Sequence, residues 1–94
     1  MGTFEANTLP GVTIIDASVD PNSGGDHITV RSTSPLIVNN PVVNNDGGNI
    51  TLAAEGTAVS DDVDLNAHVT ASGGNGNIAI YAGDSIDLDA AISV

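Results

Sequence analysis

The residues able to do chemistry in this 94-residue chain are almost all carboxylates, twelve Asp and Glu against a single basic residue, Arg31. There is no cysteine, and the two histidines, His27 and His68, are 41 positions apart. Metal sites need converging ligands, so both imidazoles are expected to be ordinary surface groups. The acidic residues with a rational spacing are Asp64, Asp87 and Asp89. If the chain repeats about every 23 residues, Asp64 lies over Asp87 and Asn66 over Asp89 on one outer face. Two carboxylates at about 4.8 Å repel by roughly 1 kcal/mol in water. Ca²⁺, which favours several oxygen ligands, would relieve this. Asp64, Asp87 and Asp89 are therefore the candidate calcium site, to be weighed against a solvated polar face. Calcium is the one cofactor considered.

Other chemistries fit less well. Gly73-Gly74-Asn75-Gly76-Asn77-Ile78 begins like a calcium-binding nonapeptide roll but puts Ile where that pattern needs Asp. Asp61, Asp62 and Asp64 could supply an acid/base pair of the glycosidase kind. They sit in or beside a loop where exposure is expected, and no Lys and only one Arg is present to hold an acidic polysaccharide. No nucleophile motif, phosphate loop or Cys/His cluster is present, and the chain is read as not an enzyme. A formal charge of −11 argues against nucleic acid, which needs Lys/Arg clusters, and against anionic lipid surfaces. No apolar run reaches membrane-spanning length, so no membrane insertion is expected. Met1–Asn7 lacks the basic and apolar regions of a signal peptide.

What must position these residues is a repeat. One five-residue pattern occurs four times: Ile15-Asp16-Ala17-Ser18-Val19, Val38-Asn39-Asn40-Pro41-Val42, Leu65-Asn66-Ala67-His68-Val69 and Leu88-Asp89-Ala90-Ala91-Ile92. The starts at 15, 38, 65 and 88 are 23, 27 and 23 residues apart. The glycine pairs Gly24-Gly25, Gly47-Gly48 and Gly73-Gly74 follow, and then the runs Ile28-Thr29-Val30, Ile50-Thr51-Leu52 and Ile78-Ala79-Ile80. The longer middle spacing places an insertion of about five residues in Glu55–Asp62. Period-two alternation marks strands with one buried face. It puts Leu65, Ala67 and Val69 on one side, with Asn66 and His68 on the other. It also puts Ile28, Val30 and Ser32 inside, and the row Arg31, Ala53, Tyr81 outside. Asn40 takes an inward slot that alanine fills elsewhere, so it is either buried and hydrogen-bonded or the mark of a bend. Pro41, which removes a ladder donor, favours the bend.

Chemically alike residues about 23 positions apart are what a parallel solenoid stacks at the inter-strand spacing. Low aromatic content (one Phe, one Tyr, no Trp) suits a thin aliphatic core. The fold class expected is all-β, a right-handed parallel β-helix (β-solenoid) of about four coils of roughly 23 residues. Residues 1–8 are read as an N-terminal extension and 9–94 as the solenoid, with the insertion near 55–62. No polar cap of the kind terminal repeats need is visible after Leu88–Ile92. That points either to a longer solenoid or to coil ends stacking between molecules.

Gly47-Gly48-Asn49-Ile50-Thr51-Leu52-Ala53-Ala54, and more closely 76–90 (Gly-Asn-Ile-Ala-Ile-Tyr-Ala-Gly-Asp-Ser-Ile-Asp-Leu-Asp-Ala), resemble the strand-turn repeats of filamentous haemagglutinin-type adhesins. The resemblance covers most of 24–94 and more weakly 9–23. It implies a right-handed parallel β-helix and a secreted or bacterial cell-surface protein of the two-partner secretion kind. The family's export-recognition segment is not recognisable in this sequence. The expected function is a structural or adhesive segment, a rigid stalk or fibre-forming solenoid. Its partners would be neighbouring coils or copies of itself end to end. The alternative is a carbohydrate- or calcium-binding module on the same scaffold, with glycans bound at the 55–62 loop, since loops on rigid scaffolds commonly carry recognition.

Overall fold

A computed structural model describes the strand backbone at 4–6, 13–14 and 17–18, and residues 27–94 apart from 33–34, 46 and 58. Twelve short strands follow one another: β1 Phe4–Ala6, β2 Thr13–Ile14, β3 Ala17–Ser18, β4 Ile28–Ser32, β5 Leu36–Val38, β6 Val42–Asn44, β7 Ile50–Ala54, β8 Val63–Leu65, β9 Val69–Ala71, β10 Ile78–Ala82, β11 Ile86–Leu88 and β12 Ile92–Ser93. Every third strand joins the same sheet. The result is three four-stranded sheets, β1-β4-β7-β10, β2-β5-β8-β11 and β3-β6-β9-β12. All pairings are parallel. Three consecutive strands, one from each sheet, form a tier, and the tiers lie on one another as a β-solenoid-like stack.

Burial follows the alternation. In β4, Ile28, Val30 and Ser32 are buried while Arg31 is exposed. Ile28 pairs with Ile50 and Ile50 with Ile78. Leu36 and Val38 pair with Val63 and Leu65, which pair with Ile86 and Leu88. One apolar cluster draws Ile28, Val30, Leu36, Val38 and Val42 together with Ile50, Leu52, Val63, Leu65 and Val69, so all three sheets share a core. Full burial of each such side chain is worth roughly 1.5–3 kcal/mol. The buried amide of Asn44 donates to the Asn49 carbonyl at 3.3 Å, which answers the cost of an unmet polar group in the core.

The five-residue pattern is not one strand, as the alternation implied. Leu65 ends β8 and Val69 opens β9, so 66–68 form a corner between two sheets. Leu65 and Val69 are buried, and Ala67 packs against the core from inside the bend. Asn40 lies at the equivalent bend and is exposed, so it is not a buried Asn. In the first tier the register is shifted: Ile14, not Ile15, pairs with Val38, and Ala17, not Val19, pairs with Val42. That tier has two residues between its paired strands, 15–16, where later tiers have three (39–41 and 66–68). Ile15, Asp16, Val19 and Gly24-Gly25 lie outside the described residues.

Two further differences concern β1 and β7. Phe4–Ala6, within the segment read as an extension, forms β1 and pairs with β4. Its apolar-polar-apolar alternation is too short to stand out in the sequence. Ala53, in the outward row between Arg31 and Tyr81, is nonetheless buried, since its methyl is short and both flanking side chains are long. The connection 55–62 between β7 and β8 exceeds 33–35 and 83–85 by five residues.

The glycine turns let adjacent tiers approach. Gly47 and Gly73 have φ of 85° and 83°, a region costly for residues with a Cβ. A Cβ on Gly73 would also strike the Asn45 carbonyl, and one on Gly74 would come within 2.9 Å of the Gly47 Cα.

Candidate functional site

Three surface features could carry function: the acidic column, the inserted loop and the upper edge of the stack. Asp64 and Asp87 are register partners on the outward side of β8 and β11. Below them the column continues as Ile37. Asp89 follows the paired Leu88, with its N–H on the Leu65 carbonyl at 2.9 Å. The structure thus brings Asp64 and Asp87 together. Among the described residues no group of three His, Cys, Asp or Glu side chains stands ready to hold a metal, and Asp89 does not complete such a set. Its level instead continues a polar row on the corner, where the Asn66 amide donates to Asn39 Oδ1 at 3.2 Å.

Asp61, expected to be exposed, is 5% exposed. Its carbonyl accepts the N–H groups of Gly83 and Asp84 at 3.0 and 3.2 Å, so the insertion returns beneath the connection of the next tier. Asp62 is half-buried, and its Oδ1 accepts the Ser85 N–H at 3.0 Å. Both residues thus hold adjacent tiers together. What projects from the loop is its tip, where Val59 is 84% exposed. At the loop's start, Glu55 takes both Nε and Nη2 of Arg31, at 3.0 and 2.7 Å. The guanidinium bonds hold the Glu55 carboxyl below its usual range, against a smaller opposing effect of desolvation.

The histidines have a use that their separation in sequence hid. Each stands immediately before a strand, and its Nδ1 accepts the backbone N–H of the equivalent residue one tier on. His27 receives Asn49 at 2.8 Å and His68 receives Ala91 at 3.3 Å. Asn49 Oδ1 does the same for Asn77 at 2.9 Å, and Asp62 does so for Ser85. The recurring slot is discernible as a polar residue before the runs that open at Ile28, Ile50, Val63 and Val69, once the corners are recognised as corners.

No pocket exists among the described residues, and no helix there is long and apolar enough to cross a membrane. The chain matches no family model, no curated protein and no solved structure.

Proposed function

We propose that this chain is a structural segment, a rigid spacer built as a right-handed parallel β-helix of about four coils of roughly 23 residues. The observation behind this reading is vertical register. Ile28, Ile50 and Ile78 occupy one line, and Val38, Leu65 and Leu88 another. Stacked parallel tiers hold one another through aliphatic columns and inter-tier hydrogen bonds, which resist bending without a wide core. The likeness of 47–54 and 76–90 to filamentous haemagglutinin-type repeats supports placing the segment in a secreted or cell-surface bacterial protein. On this reading it is not an enzyme, and any glycan recognition falls to the projecting 55–62 loop.

Hydrogen exchange tests the rigidity. The N–H groups of Ile50, Val63 and Val69 each bridge to the next tier, at 2.8, 3.0 and 3.1 Å. A rigid stack predicts slow exchange of all three with one common opening free energy. Fast exchange confined to one sheet would contradict it. Glycan-array binding abolished by shortening 55–62 would move the assignment to a carbohydrate-binding module.

A further inference from the structure

We propose that Asn75 is a self-modification site, where the chain converts its own side-chain amide into a carboxylate, in part as isoaspartate. The connection between β9 and β10 carries the inference.

That connection, 72–77, has six residues, whereas 45–49 beneath it has five. The glycines show where the additional residue lies. A Cβ on Gly74 would come within 2.9 Å of the Gly47 Cα, and one on Gly76 would overlap the Gly48 carbonyl oxygen. Gly74 thus rests on Gly47 and Gly76 on Gly48, and Asn75 between them has no counterpart one tier down. It is exposed. No hydrogen bond to another described residue holds its side chain.

The same packing fixes the neighbour that the chemistry requires. With the Gly48 carbonyl against it, residue 76 has no room for a side chain, so Asn75 is followed by an unhindered backbone nitrogen. That nitrogen, deprotonated by solvent base, attacks Asn75 Cγ. The new N–Cγ bond closes a five-membered imide, and the Cγ–Nδ2 bond breaks as ammonia leaves with a proton from water. Water then opens the ring. Addition at Cγ restores the ordinary backbone with an aspartate side chain. Addition at the main-chain carbonyl leaves isoaspartate, whose backbone runs through Cβ and Cγ. The sum is amide plus water to carboxylate plus ammonium.

Other asparagines are placed differently. Asn75-Gly76 is the one Asn-Gly step in the chain. Asn49 and Asn77 precede the β-branched Ile50 and Ile78, which crowd the attacking nitrogen. Asn44 is buried with its amide bonded, and Asn39 and Asn66 bond each other.

The product matters because the connection is pinned at both ends. Ser72 gives its N–H to the Asn44 carbonyl at 2.7 Å and receives that of Gly47 at 2.9 Å. Asn77 gives its N–H to Asn49 Oδ1 at 2.9 Å and receives that of Ile50 at 2.8 Å. Isoaspartate adds a main-chain atom between these ends, and the glycines packed on the tier below leave it no room inward. The bonds at Asn77, next to the lengthened link, are the ones it loosens.

Incubation of the full chain in warm, mildly alkaline buffer tests this, read by peptide mapping and by enzymatic methylation of isoaspartate. Asn75 should be converted ahead of every other asparagine, in the folded chain as well as in urea, and faster as pH rises. Asn75→Gln, which would have to close a larger ring, should lose the modification. An intact Asn75 in the folded chain, whether or not urea releases it, would overturn the site. So would conversion led by another asparagine. Hydrogen exchange then separates backbone from charge. Chains enriched in isoaspartate should lose protection at the N–H groups of Asn77 and Ile50. The Asn75→Asp variant, with the same added charge and an ordinary backbone, should keep it. Equal protection in both, or equal loss in both, would overturn the loosening by the lengthened backbone.

Discussion

His27 accepts the backbone N–H of Asn49 on Nδ1 at 2.8 Å, across the step from one tier to the next. The relationship accounts for the polar residues found before β4, β7, β8 and β9. The N–H groups of Asn49, Asn77, Ser85 and Ala91 point at the tier below and find a side-chain acceptor there, on His27, Asn49, Asp62 and His68 respectively. The two prolines in the described tiers, Pro35 and Pro41, occupy the same slot and have no N–H to satisfy. Removing the acceptor should cost about 0.5–1.5 kcal/mol, toward the low end because water reaches the site. His27→Ala should lower the urea midpoint accordingly. His27→Asn, which supplies the acceptor that Asn49 already provides one tier on, should restore most of it.

Leu65 and Leu88 share a register line but not an environment. Leu65→Ala should destabilise by about 2–5 kcal/mol, as expected for truncating a sealed core leucine. Leu88→Ala, at an open face in the isolated chain, should cost far less. Denaturant unfolding of both variants under conditions where the chain is monomeric makes the comparison.

Gly73→Ala should be disproportionately harmful for a surface turn. Left-handed backbone costs a residue with a Cβ roughly 1–2 kcal/mol, and the new methyl would meet the Asn45 carbonyl of the tier below. Asn75→Ala, at an exposed neighbouring position, should change the thermal midpoint little.

The Arg31–Glu55 pair should leave a mark on the acid limb of stability. Its carboxyl is held below its ordinary value of 4.5 by the guanidinium. The pair's contribution is therefore complete above that value and disappears as pH falls through the lowered one. Protonating the other carboxylates relieves self-repulsion and acts oppositely, so the informative quantity is a difference. Wild type minus Glu55→Gln, in urea midpoint, should be positive near neutrality and shrink on acidification.

Much of the stack is legible in the residues. The line Ile28, Ile50, Ile78 and the insertion at 55–62 follow from matching aliphatic runs and counting between them. The corners are less visible. In Leu65-Asn66-Ala67-His68-Val69, residues i, i+2 and i+4 face inward whether the chain runs straight or bends around Ala67, so period two cannot distinguish them. Ile14 and Ile15 are adjacent and alike, so the sequence does not show which of them pairs with Val38. Asp61 carries no sequence signal of burial, because its backbone carbonyl, not its type, makes the bonds to Gly83 and Asp84. Of the acidic trio, the Asp64–Asp87 pairing follows from strand register, whereas Asp89 lies past the strand, where register alone does not set direction.

The vertical line of Thr51 and Ala79 offers the most direct measurement. They are register partners on the outward side of β7 and β10, and the chain has no native cysteine to interfere. Paired strands lie about 4.8 Å apart, within the Cα separation that a disulfide spans. Under dilute oxidising conditions, Thr51→Cys with Ala79→Cys should give an intramolecular disulfide. Thr51→Cys with Tyr81→Cys, offset by two residues and so about 8 Å apart, should not. Equal cross-linking of both pairs, or of the offset pair alone, would contradict the stacking of equivalent residues.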